Sequence, residues 1–167
     1  MASEQRVVLV DGEHEQWARR ASSMADRIRA LVPDAVIEHI GSTAVPGMPA
    51  KPVVDLLVGV GAHDIPAAEQ RLLAGGLDLE GSRTGHAWLS WPHREARTTV
   101  VHVVEVGGDR WSQRIRFRDL LRRDRTARAE YLAVKRAAAR DAIGWGDYTA
   151  AKADVVARLL ERADGAG

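Results

Sequence analysis

The apolar positions change period several times along the 167 residues. Val7–Val10 reads as a short strand. From Glu13 the repeat lengthens: Trp17, Ala21, Met24, Ile28 and Leu31 recur at spacings of four, three, four and three. Arg19, Arg20, Asp26, Arg27 and Arg29 fill the other face, and Pro33 ends the pattern, which predicts an amphipathic helix. Val36–Ile40 returns to strand. Val53–Val60, VVDLLVGV, is a nearly continuous apolar run of the kind that is buried on both faces of a sheet. Asp64 stands where a helix cap belongs, and the helix it starts runs to about Ala74 before Gly75 and Gly76 stop it. Ala87–Trp91 and Thr98–Val106 predict two more strands, the second strongly β-branched. Asp109–Arg140 holds no β-like run, and a last helix is predicted over Asp147–Arg162, after a break at Gly144-Trp145-Gly146.

Strands therefore concentrate in residues 7–106 and helices in 109–162. That distribution predicts an α+β fold rather than a regular βαβ series. No repeat, low-complexity run or Pro/Gly/Ser linker divides the chain, so residues 1–167 are expected to form one domain. A composition of 46% hydrophobic and 28% charged residues suits a globular chain with its own core. The formal net charge of +1 excludes polyanion binding by bulk electrostatics. Locally the balance differs: Asp109–Arg140 carries eleven Arg and Lys against four Asp and Glu. The absence of cysteine excludes disulfides, thiolate metal sites and cysteine nucleophiles. The opening MASEQRVVLVDGEHEQW lacks the features of a signal peptide, and no apolar run approaches the ~20 residues of a membrane helix. A cytoplasmic protein without membrane contacts is expected.

Two features carry chemistry. Ile40 ends a strand at Gly41-Ser42-Thr43, where backbone N–H groups and two hydroxyls can cradle a phosphate, with Lys51 adding positive charge. The same residues also suit an ordinary tight connection between strands. The second feature is Asp55 inside the apolar run, where an ionised carboxylate needs a partner. That partner is either Lys51 or an arginine at a half-solvated strand end, or a metal ion beside the loop. Neither a Walker loop nor GxGxxG after a strand is present, which disfavours P-loop kinases and dinucleotide folds. His39 and His102 lie in strands as candidate bases or phosphate donors, or as hydrogen-bonded core histidines. His86 and His93 flank the aromatic AWLSWP, but no HxH or HExxH spacing points to zinc. Arg114 and Arg118 share a helix face. Such basic helices either face a ligand or form a solvated surface with pairs such as Asp119 to Arg123. Trp88, Trp91, Trp111 and Trp145 either wall a pocket or pack. No RNA-binding signature accompanies them, so nucleic acid is not the expected partner.

The stretch IEHIGSTAVPGMPAKPVVDLLVGV resembles the signature of the GrpB-like family, which has a nucleotidyltransferase-type fold. A similar segment occurs in a domain appended to some bacterial dephospho-CoA kinases. Trp17 in HEQW, HVVE at His102–Glu105, FRDLLR at Phe117–Arg122, and the spaced Tyr131, Lys135, Tyr148 and Lys152 extend the resemblance from about Val7 to Leu160. It implies a mixed β-sheet with flanking helices and a helical C-terminal third. In catalytic members of the wider superfamily, a Gly-Ser turn is followed by a strand bearing two carboxylates one residue apart, which bind Mg²⁺ around a triphosphate. Asp55 matches the first carboxylate, and Leu57 stands where the second belongs. The resemblance thus implies an NTP held by Gly41, Ser42, Thr43, Lys51, Arg118, Lys135 and Lys152. Mg²⁺ would sit at Asp55, and the acceptor is unknown. From its own position, Glu105 at the end of the HVVE strand either adds a further carboxylate or faces solvent, and His39 and His102 are the candidate catalytic bases. Leu57 equally suits a non-catalytic ligand-binding module, and another ATP-dependent activation such as amide ligation stays open.

Overall fold

The longest apolar run becomes the centre of a sheet. The computed structural model describes residues 7–141 and 145–166, with side chains for 7–141 and 152–166. The elements are α1 (His14–Leu31), β1 (Val36–Ile40), β2 (Val54–Val60), α2 (Ile65–Ala74), β3 (Asp78–Arg83), β4 (His86–Trp91), β5 (Thr99–Glu105), α3 (Asp109–Arg123), α4 (Arg125–Asp141) and α5 (Trp145–Gly165). The strands pair in the order β1-β2-β5-β4-β3. Only β2 and β5 run parallel, and the other three pairings are antiparallel. The result is the α+β fold with a helical last third that the hydrophobic pattern predicts, and the mixed sheet that the resemblance implies.

β2 lies between two strands and under helices on both faces, which is why its sequence barely alternates. One face carries Val54, Leu56, Val58 and Val60 into the main core, with Ala87, Leu89, Val101 and Val103 from β4 and β5. Trp17, Ala21, Met24 and Ile28 of α1 and Ile65, Ala68 and Leu72 of α2 cover that face. Each Val, Leu, Ile or Met among them contributes roughly 1.5–3 kcal/mol when fully buried. The opposite face presents Leu57, Ile40 and Val104 to Trp111 and Ile115 of α3. A separate cluster joins Val45 and Met48 of the loop to Leu120, Leu121, Ala127, Tyr131, Val155 and Leu159, and so fastens α3, α4 and α5 over the loop. Asp55 is the exception on this second face.

Several boundaries differ from expectation. Val7–Val10 makes only an isolated bridge, Val10 to Ala50, rather than a strand. Asp64 stands before α2 without a side-chain capping bond. β3 was not apparent in the sequence because DLEGSR is polar. It is an edge strand whose Asp78 and Glu80 pair with Arg94 and Arg97, and charge of that kind protects an open edge. Gly144 of the predicted break lies outside the described residues, as do the side chains of Trp145 and Tyr148. The other tryptophans pack rather than wall a pocket: Trp91 lies under the Arg27 guanidinium at 4.0 Å, and Trp88 lies over Gly81. Trp111 lies against Gly59, where a Cβ would come within 2.6 Å of its ring. Gly59→Ala should therefore push α3 off the sheet and lower stability by about 1–3 kcal/mol, measured by urea unfolding.

Candidate functional site

The chain leaves β1 at Ile40, directly opposite Asp55 in the β1–β2 register. Gly41 then turns it with φ +75°, and Ser42–Ala44 form one 3-10 turn. A Cβ at position 41 would stand 2.9 Å from Asp55 Oδ2. Glycine is therefore required twice, for the dihedral and for the close approach. The turn is held by Ala44 N–H to Gly41 O and Val45 N–H to Ser42 O, both 3.1 Å. From outside, Arg122 Nε donates to Ala44 O at 2.9 Å, and His39 Nε2 lies 2.8 Å from Thr43 Oγ1. These contacts present Ser42 and Thr43 beside the Asp55 carboxylate.

Asp55 keeps 26% of its side chain exposed. Burial pushes its carboxyl up, but the neighbouring His102 imidazole and the charges of Lys51 and Lys152 outweigh that and hold it below the ordinary carboxylate value. It is an anion at neutral pH. Facing it are lysines from three places: Lys51 on the loop, Lys135 on α4 and Lys152 on α5. Together with Gly41, Ser42, Thr43 and Tyr131 they line a recess of about 50 Å³ against Asp55. Lys135 is 1% exposed, and its Nζ donates to Pro49 O at 2.9 Å. Burial, then repulsion from Lys152 and Lys51, pushes its pKa down to about 7 although Asp55 opposes the shift. Lys152 falls to about 8, from burial and then Lys51, and Lys51 is lowered chiefly by burial. Burial raises Tyr131 to about 12, so its hydroxyl stays protonated. One carboxylate thus faces three lysine side chains, all with proton affinity below the ordinary value.

A second cavity of about 430 Å³ opens alongside, sharing Gly41, Ser42, Tyr131 and Lys152 with the recess. Phe117, Leu121, Val156 and Ala157 give it an apolar wall, and Arg110, Arg114 and Arg118 a basic one. Its size falls in the range of small-molecule sites.

The sequence matches the profile of the family described as GrpB protein over residues 6–162. The chain belongs to the GrpB family. It is 46% identical over 155 residues to a UPF0157 protein of Deinococcus radiodurans, covering 93% of this chain and 81% of that one. It is also 30% identical over 192 residues to a dephospho-CoA kinase of Mycolicibacterium paratuberculosis, covering 91% of this chain and 46% of the kinase. In structure it resembles the conserved protein GrpB from Enterococcus faecalis, with a TM-score of 0.76 at 22% identity, covering 93% of this chain and 98% of that one. A cytoplasmic RNA terminal U-transferase aligns with a TM-score of 0.54 at 17% identity, over 80% of this chain and 43% of the enzyme. The fold is therefore nucleotidyltransferase-like.

Of the residues singled out in the GrpB sequence, Gly41, Ser42, Thr43, Lys51, Asp55, Lys135 and Lys152 meet at the recess. His102 does not line the recess but stands beside Asp55, with Nε2 at 3.6 Å from Oδ1. Glu105 does neither. It pairs with Val60, on the opposite sheet face from Asp55 and five residues further along, roughly 16 Å at strand rise, so it cannot share an ion with Asp55. His39 is also displaced from the expected role: it pairs with Leu56 on the α1 side, and its ring holds Thr43. Burial and the Arg122 and Arg118 charges push His39 down to about 4, against Asp55, so it is a neutral positioning residue. Arg118 lines the larger cavity, but its guanidinium is engaged by Glu38 Oε2 at 2.6 Å, His39 O at 3.1 Å and Asp119 Oδ1 at 3.0 Å. It joins α3 to β1 rather than meeting a ligand freely, and Asp119 pairs with it instead of with Arg123. Sequence reasoning missed Tyr131 and Arg110 as lining residues. The spacing of Tyr131 from Lys135, and of Arg110 from Arg114, places each pair on one helix face and was the available signal.

No helix among the described residues is long and apolar enough to cross a membrane. The buried lysines set a pH signature. Between about 7 and its ordinary 10.5, Lys135 is protonated in the unfolded chain and neutral in the folded one, so stability rises with pH across that window. Lys152 acts in the same direction from about 8 upward. Asp55 contributes above its ordinary 3.8, and its share is lost as pH falls through its lower folded value. The urea midpoint should climb from pH 7 to pH 9.5, and Lys135→Met should flatten the climb.

Proposed function

We propose that this GrpB protein binds a nucleoside triphosphate or a related phosphorylated small molecule at the Gly41–Thr43 turn. We further propose that it transfers the nucleotidyl group to an acceptor, with Mg²⁺ at Asp55. The observation that carries this reading is the charge imbalance of the recess, where Lys51, Lys135 and Lys152 outnumber Asp55 around two hydroxyls. A polyphosphate would suit that basic lining. The adjoining cavity suits the base and sugar, with Phe117 and Val156 on its apolar side and Arg114 on its polar side.

The residues fit one divalent cation better than two. Asp55 offers a partly exposed carboxylate beside the recess, whereas Leu57 is fully buried under α3 and brings no oxygen. Mg²⁺ commonly keeps waters and takes one or two carboxylates plus phosphate oxygens. When bound, it would supply charge neutralisation at the phosphoryl oxygens. The chain's own groups do the rest. The lysines hold and neutralise phosphate, Ser42 and Thr43 donate hydrogen bonds, Gly41 lets the ligand approach, and the helices α3–α5 limit water around the reacting group.

A second reading, a binding module without catalysis, is favoured by Leu57 alone. One experiment separates the two: NTPs with and without Mg²⁺, followed by thermal stability and pyrophosphate release. A nucleotide at about 100 times its Kd should stabilise the fold by ~2.7 kcal/mol. Lys152→Ala should weaken binding by at least about tenfold, or ~1.4 kcal/mol. Asp55→Asn should abolish Mg²⁺ dependence, with circular dichroism checking that the variant is folded. Binding without turnover across a panel of acceptors supports the module, and no NTP binding refutes both readings.

A further inference from the structure

Asp55 has a neighbour that spacing in the sequence hides. β2 and β5 run parallel with Leu57 opposite His102 and Asp55 opposite Val100, so His102 projects from the same sheet face as Asp55, one pair further along. Its Nε2 lies 3.6 Å from Asp55 Oδ1. That is longer than an N–H···O hydrogen bond, which closes to about 2.7–3.2 Å. Two donors each about 2.1 Å from one ion stand roughly 3.0 Å apart in octahedral geometry and roughly 3.4 Å apart in tetrahedral geometry. The observed separation therefore needs only a small closure to share an ion. The other ring nitrogen is already held: His86 Nε2 lies 3.1 Å from His102 Nδ1, with the two rings stacked at 5.4 Å. His86 is itself buried on β4, across from the strand that carries His102. A ligating histidine ordinarily donates its second ring N–H to an acceptor, and His86 Nε2 can serve as that acceptor here, setting ring orientation and tautomer.

We infer that Asp55 and His102 together form a mixed oxygen–nitrogen site for a divalent first-row transition ion, so that His102 supplies the second donor that Leu57 does not. This rests on the phosphate-binding reading above and refines the cation named there. Mg²⁺ is bound almost wholly through oxygen, whereas an imidazole donor favours a transition ion such as Mn²⁺. Among the described residues no group of three or more His, Cys, Asp or Glu is placed to hold a metal. The remaining positions on the ion therefore fall to phosphate oxygens and water. The same dependence follows from charge: three lysines around the recess oppose a lone cation, and a polyphosphate that neutralises them admits it. Ion and polyphosphate should bind together.

The test uses the full chain with Mn²⁺ and inorganic tripolyphosphate, a ligand that carries no nitrogen. Electron paramagnetic resonance should show free Mn²⁺ disappearing only when protein and tripolyphosphate are both present. Pulsed measurements should then show the ¹⁴N coupling of a directly bound imidazole, replaced by the ¹⁵N pattern when the protein is grown with ¹⁵N-histidine. His102→Gln should lose that coupling and weaken Mn²⁺ uptake about tenfold, while tripolyphosphate still raises its melting temperature. The isotope label needs no substitution, so an unfolded variant does not blunt the test. Bound Mn²⁺ without histidine coupling, or Mg²⁺ competing on equal terms, overturns the inference. Tripolyphosphate that stabilises the protein without taking up Mn²⁺ overturns the ion site and leaves the phosphate recess standing. Failure of tripolyphosphate to bind at all removes both.

Discussion

The structure depends on keeping one negative charge on a face of the central strand. Asp55 sits in β2, between β1 and β5, where every other residue of the strand is buried apolar surface or glycine. Burial alone would favour the neutral acid. His102, Lys51 and Lys152 reverse that balance, and each comes from a different part of the chain. The loop, the parallel partner strand and the last helix are thereby required to meet at one point. Much of the second face follows from that requirement, including the bare Gly41 that approaches the carboxylate and the tie from Lys135 to Pro49 O.

That arrangement also separates two kinds of basic residue. Arg118 and Arg122 face the same loop as the lysines, but they are bonded to Glu38, to Asp119 and to backbone carbonyls of His39 and Ala44. A planar guanidinium with several fixed donors is well suited to such joints. The lysines line the recess itself, where burial lowers their proton affinity, so a bound polyanion would raise it again and its binding would be coupled to proton uptake. The arginines serve as joints, whereas Lys135 both ties the helices to the loop and lines the recess.

Most of the fold was legible because periodicity reports burial. The four-three repeat from Trp17 gave α1, the unbroken apolar run gave β2, and the β-branched run gave β5. β3 was hidden because an edge strand need not be apolar, and Val7–Val10 misled because β-branched residues also serve as a single bridge. In the candidate site, Gly41, Ser42, Lys51 and Asp55 could be read because they are neighbours in sequence around one turn. Lys135 and Lys152 came only with the family pattern, since no local rule says that two helices will aim them at a loop some ninety residues earlier. Glu105 shows the converse failure. It follows His102 by three residues, and the alternation of a strand sends it to the other face. The pairing of His86 with His102 depends on the register between β4 and β5, which the sequence does not display.

The joint between Lys135 and the Pro49 carbonyl links the C-terminal helical layer to the loop in front of β2. The walls of the recess therefore belong to two bodies of secondary structure, the sheet with its turn and the helical cap, and neither holds a complete pocket alone. A molecule lodged there would act as mortar between the two, so that its capture and the docking of the cap would be one equilibrium.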